Sequence, residues 1–167
     1  MAHRRLELLM PAPAEVVFDA FHYHHWKHQW DSLVRRTQVQ GGAPCPHVGA
    51  VSTNAGAGLL RGLSMQTEFV SYDRPRLAAA AMRGRSFPFA RWAASMRHIP
   101  TGSDGGSLLV YTYTLETSPA CLRWLMEPVV DRVFLRATRK RFQRFTAWLA
   151  AHGDEVARWQ GDRDSGG

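Results

Sequence analysis

Four histidines crowd one short stretch near the N-terminus: His22, His24, His25 and His28, interleaved with Tyr23 and Trp26 and followed by Trp30. On a continuous helix His24 and His28 share a face at i, i+4, a spacing workable for zinc, and Asp31 could add a third ligand. No HExxH pattern and no second ligand cluster accompanies them. Solvated or capping histidines are therefore the better reading, and no metal or other cofactor is assigned. Acid–base chemistry would need a positioned group inside a pocket. The candidates are Tyr111 and Tyr113, two residues apart in LLVYTYTLET, with His98 and, facing outward in its strand, Glu68. No nucleophile elbow, phosphate loop or cysteine–histidine arrangement appears.

The elements that must position these residues follow from periodicity. Residues 3–10 alternate loosely and stop at Pro11, as a strand does. Pro11-Ala12-Pro13-Ala14-Glu15 opens a helix whose apolar stripe is Val16, Val17, Ala20 and Phe21. A second short helix or turn carries Trp26 and Trp30. Strands are expected over 33–40, 50–55, 63–72, 76–83, 89–99 and 108–117, joined by Gly/Pro-rich turns. Alternation puts Leu63, Met65, Thr67 and Phe69 on one face, Trp92, Ala94 and Met96 on another, and turns Leu109, Tyr111, Tyr113 and Leu115 inward. From Ser118-Pro119 to about His152 runs one amphipathic pattern, with Pro128 expected to kink it or split off a first turn and Gly153 to stop it. The polar remainder, 153–167, is expected to be a mobile tail. Consecutive strands followed by one long helix make an α+β domain, a curved meander whose apolar face only that helix is long enough to cover. One helix cannot fill such a curve, so a cavity between them is expected.

Composition bounds the partners. The 167 residues are 45% hydrophobic and 21% charged, enough for one self-sufficient domain. Cys45 and Cys121 form no CxxC pair, and the apolar run near the N-terminus is too short for a signal peptide. No stretch approaches a membrane span; the expected location is cytoplasmic. The net charge of +7 is carried largely by arginine, and the run RATRKRFQR (136–144) reads as the solvated face of a helix. No specific nucleic-acid partner is assigned, though the basic surface leaves transient membrane contact open.

The stretch PAPAEVVFDAFHYHHWKHQWDSLV resembles the opening of the SRPBCC superfamily, the START-like or helix-grip proteins. GSDGGSLLVYTYTLE resembles its penultimate strand, and LRWLMEPVVDRVFLRATRKRFQRFTAWLAAH its closing helix. The match covers about residues 3–152 and is nearest to the bacterial polyketide cyclase/dehydrase and lipid-transport branch. It implies a helix-grip fold in which about seven curved antiparallel strands wrap a long C-terminal helix, with two short helices after the first strand. Residues 1–152 would form that single domain.

The ligand-lining set is then Met65, Thr67, Phe69, Trp92, Met96, Tyr111 and Tyr113 from the sheet. Met126, Val130, Val133 and Phe134 face them from the helix, and Trp26 and Trp30 join because the short helices close one end. The expected function is binding or carrying a small hydrophobic molecule: a lipid, polyketide or aromatic metabolite. One alternative is a cyclase/dehydrase-type enzyme acting in the same cavity; another is an interaction protein using its basic surface. The fold predicts a pocket better than a reaction.

Overall fold

A computed structural model describes residues 1–31, 34–39, 42–56, 64–102 and 105–165. The chain begins with strand β1 (Ala2–Met10), then helices α1 (Ala14–His22) and α2 (His24–Trp30). Six more strands follow: β2 (Val34–Val39), β3 (Val51–Gly56), β4 (Ser64–Asp73), β5 (Leu77–Arg83), β6 (Phe89–Pro100) and β7 (Ser107–Thr117). A short 3-10 turn, Ala120–Leu122, leads into α3 (Arg123–Ser165). The seven strands form one antiparallel sheet in the order β1-β7-β6-β5-β4-β3-β2, a meander that closes back on β1. This is the curved sheet and long helix expected from the sequence. Leu63, placed on the inner face of β4, lies outside the described residues, as do the ends of the expected strand at 33–40.

Strand alternation decides which side chains meet α3. On β7, Leu109, Tyr111, Tyr113 and Leu115 are all buried. On β6, Met96 and His98 are buried on the same side as Trp92 and Ala94. Helix α3 answers with Thr138, Phe142, Phe145 and Leu149, a stripe at three- and four-residue steps. Helices α1 and α2 close this half of the core: Phe21 lies 5.5 Å from Phe145 and Trp30 lies 4.2 Å from it, ring centre to ring centre.

The helix does not stop at Gly153, and its single run passes uninterrupted through Pro128. Pro128 is the sixth residue of the helix, where its missing N–H forfeits one backbone hydrogen bond out of a 43-residue run. The 43-residue element continues to Ser165 because residues past Gly153 are packed. Val156 is fully buried, and Trp159 stands edge-on to Tyr23 at 4.8 Å. The Gln160 amide donates to the Asp19 carboxylate (2.6 Å) and to the Glu15 carbonyl (3.0 Å). Arg74 grips the same buried Asp19 with two hydrogen bonds of 2.6 and 2.7 Å. Residues 153–165 of the segment read as a tail are thus a structured extension tied to α1.

Candidate functional site

Small residues open the space between sheet and helix. Ala80 on β5 pairs with Ala94 on β6, and Ala78 pairs with Met96, so the middle of the concave face carries little side-chain volume. Beneath α3 this leaves a cavity of about 130 Å³. Its sheet wall is Met65, Thr67 and Phe69 on β4 with Trp92, Met96 and Tyr111 beyond the alanines. Phe134 and Arg141 face it from α3, and Phe21, His22, His24 and Lys27 close it from α1 and α2. Pro46 and Ser52 complete the rim. A wider hollow of about 590 Å³ lies at the Gly84–Arg91 end of the sheet, among outward-facing Arg85, Arg91 and Glu116. Of these two, the first has the more enclosed, mainly apolar lining with a few placed polar groups that suits an organic ligand.

Those polar groups are well defined. The His22 Nδ1–H donates to the Phe18 carbonyl at 2.8 Å, leaving Nε2 as an acceptor. Burial, reinforced by neighbouring His98, holds His22 neutral, well below the usual histidine range. Burial also lowers His24, with the Lys27 charge adding to it. Ser52 and Thr67 hydroxyls pair at 3.1 Å. The Tyr111 hydroxyl has no hydrogen-bond partner among the described residues, and burial pushes its pKa up to about 12. Lys27 is brought down to about 8, chiefly by burial and further by the Arg141 charge, against the pull of Asp31. Arg141 itself donates to both Asp31 oxygens, at 3.1 and 2.6 Å, and lies 4.9 Å from the centre of the Phe21 ring.

Seven of the residues read from the sequence meet at this cavity: Met65, Thr67, Phe69, Trp92, Met96, Tyr111 and Phe134. Six others do not. Tyr113 is fully buried, but its hydroxyl donates to Asp131 at 2.8 Å, and Arg4 holds the other carboxylate oxygen at 2.6 Å. Met126 and Val130 precede Asp131 on α3 and lie outside the lining. Val133 is 56% exposed, turned away from the stripe of Phe134 and Thr138. Trp26 packs between Trp148 and Trp159, and Trp30 donates its indole N–H to the Ala20 carbonyl while lying on Phe145. His98, the third catalytic candidate, sits beneath α1 at 5.1 Å from Phe18, away from the lining, and burial pushes it down to about 4. Glu68 is also outside the lining.

Sequence reasoning missed Lys27, Arg141 and the alanines. Arg141 belongs to the run read as solvated; Arg136, Arg139, Lys140 and Arg144 are exposed, whereas Arg141 is buried. Its spacing was the available signal, since 134, 138, 141 and 145 form one inward stripe. His24 and His28 lie 6.3 Å apart, and no cluster of three or more His, Cys, Asp or Glu among the described residues could hold a metal. No described helix is long and apolar enough to cross a membrane.

A sheet gripping a terminal helix is also what the comparisons return. The family model for polyketide cyclase / dehydrase and lipid transport matches residues 1–150. The chain belongs to that family. Solved structures agree on the helix-grip fold at low identity. A Thermus thermophilus protein superposes with a TM-score of 0.72 at 16% identity, covering 90% of this chain and 98% of its own. A Bacillus thuringiensis protein does so at 0.68 and 12%, covering 89% and 99%. A point mutant of Thalictrum flavum norcoclaurine synthase, solved with a transition-state analogue, gives 0.65 and 14%, covering 90% and 95%. No curated protein sequence matches the chain. In this member of the polyketide cyclase / dehydrase and lipid-transport family, the helix-grip cavity is able to hold a small hydrophobic ligand.

Proposed function

We propose that the protein binds a small aromatic molecule, about one ring in size, between the sheet and α3. The observation that carries this reading is the paired Ala80 and Ala94 beneath Phe134, which leave about 130 Å³ lined by Trp92, Met96, Phe69 and Phe21. An apolar cavity of about 150 Å³ holds benzene, whereas drug-sized ligands occupy pockets of roughly 300–1,000 Å³. Size therefore favours a single ring over an acyl lipid or a multi-ring polyketide. Norcoclaurine synthase, which shares the fold at 14% identity, was solved with dopamine and hydroxybenzaldehyde, both single-ring aromatics. Native mass spectrometry of the protein incubated with benzamide tests the reading. A one-to-one complex is expected with wild type and not with Ala94→Phe, whose added ring fills the space while its circular dichroism stays native. No complex with wild type, or equal retention by Ala94→Phe, overturns it.

The second reading is a cyclase/dehydrase-type enzyme in the same cavity. It draws support from four titratable groups sharing one apolar lining: Tyr111, His22, His24 and Lys27. Tyr111 is its acid–base candidate, since Tyr113 and His98 face other environments. Turnover of a ring-forming substrate that survives Tyr111→Phe would reject that role.

A further inference from the structure

The charges around the cavity are one-sided. Lys27 and Arg141 line it, with His22 and His24, and no described aspartate or glutamate does. The nearest described carboxylate is Asp31, which takes two hydrogen bonds from Arg141 and lies 3.9 Å from the Lys27 ammonium. One acid thus faces two cations. The sequence adds a second, independent asymmetry: from residue 32 to residue 67 there is no Asp or Glu. Its described residues Pro46, Ser52, Met65 and Thr67 line the cavity. A desolvated cation without a full counter-charge is costly, and an apolar site tolerates one where a ligand supplies the missing anion. Lys27 reaches the lining with its side chain only 15% exposed and its ammonium 5.5 Å from the Phe21 ring centre.

We infer that the ligand carries an anionic head group, of carboxylate type, which docks on Lys27 while its ring lies against Phe21, Trp92 and Phe134. This deepens the proposed function and rests on it: the cavity supplies the ring site, and Lys27 selects the charge. The Tyr111 hydroxyl, open to the same space, offers the anion a second donor.

Benzoate and benzamide are matched probes, equal in ring and nearly equal in shape but differing in charge. Titrations followed by NMR of the Trp92 indole should show benzoate binding about ten- to a hundredfold more tightly at pH 6.5, the worth of one charge-assisted hydrogen bond. The preference should shrink at pH 9.5, above the value near 8 to which burial lowers Lys27. The other groups facing Lys27 are His24 on its own helix, Asp31 just after that helix, His22 from α1 and Arg141 from α3. Burial lowers both histidines, His22 the more strongly, so neither gains charge as pH rises from 6.5, and the guanidinium stays charged throughout. Lys27→Met should remove most of the benzoate preference and its decline between pH 6.5 and 9.5, with a native circular dichroism spectrum reporting that the cavity has formed.

The chain has only two lysines, Lys27 and Lys140, so reductive ¹³C-methylation gives a wild-type readout free of mutation. Benzoate, and not benzamide, should raise the titration midpoint of the Lys27 signal. Equal binding of the two probes by wild type at pH 6.5 overturns the anionic head group and leaves the aromatic site standing. Binding of neither overturns both.

Discussion

Tyr111 and Tyr113 stand two residues apart on β7, both inward, both buried, with ring centres 6.0 Å apart. They nevertheless belong to different regions. Tyr113 completes a polar lock, donating to Asp131, whose other oxygen takes two hydrogen bonds from Arg4 on β1. Tyr111 looks into the cavity with its hydroxyl unclaimed among the described residues, and its ring rests 5.1 Å from Phe142. What separates them is the stretch of α3 each one meets: Tyr113 faces Asp131 and Phe134, whereas Tyr111 faces Phe142, which offers its hydroxyl no acceptor. One region fastens the helix to the sheet; the other leaves a polar handle over an apolar space.

Breaking the lock should cost the most. Asp131 is 2% exposed, and Asp131→Ala leaves the buried Tyr113 hydroxyl without an acceptor. The expected loss is about 2–3 kcal/mol, or a fall of roughly 5–10 °C in Tm by calorimetry. A neutral change would show that the grip does not depend on this tie. The same comparison has a pH signature. Burial alone would raise the Asp131 carboxyl, but the hydrogen bonds from Arg4 and Tyr113 outweigh it and hold it below the usual range. A lowered folded-state value contributes stability above the unfolded carboxyl range, near pH 4, and loses it as pH falls through the folded value. Denaturation by urea should therefore give a wild-type advantage over Asp131→Ala that is level from pH 7 to 5 and shrinks below pH 4. His98, pushed down to about 4 by burial, costs stability as pH falls from about 6.5 toward 4. It does so in both proteins and cancels in the difference.

Tyr113→Phe removes one donor and keeps the ring, so a smaller loss is expected, about 1–1.5 kcal/mol in urea denaturation. A loss as large as that of Asp131→Ala would mean that Tyr113 carries the lock and Arg4 adds nothing.

The order of elements was legible because strand alternation and the α3 stripe are properties of the chain itself. The inward face of β4, β6 and β7 follows from period two alone, and Met65, Thr67, Phe69, Trp92, Met96 and Tyr111 reach the cavity by that rule. The partition of the tyrosines was not legible, because it depends on which turn of α3 lies across from each. That registration is set by Arg4, Asp131 and Gln160, contacts separated by more than a hundred residues in sequence. Lys27 and Arg141 were obscured for a related reason. A basic residue on an amphipathic helix reads as solvated until its partner, here Asp31, is placed beside it. The helix running past Gly153 was hidden likewise, since Val156 and Gln160 gain their burial from α1.

The smallest effect on stability is the one most informative about the cavity. With no described partner for its hydroxyl, Tyr111→Phe should change folding stability by less than about 0.5 kcal/mol, a surface-like response from a residue only 4% exposed. The contrast with Tyr113→Phe then measures what a satisfied hydroxyl is worth in the same strand, at the same depth. The missing effect should reappear on ligand addition. If the hydroxyl donates to a bound head group, Tyr111→Phe should weaken benzoate binding by about three- to tenfold, weaken benzamide, whose neutral carbonyl accepts the same hydrogen bond, by less, and leave Tm nearly unchanged. A Tm drop equal to that of Tyr113→Phe would place the Tyr111 hydroxyl in the core's own hydrogen bonding, and the two regions would no longer differ.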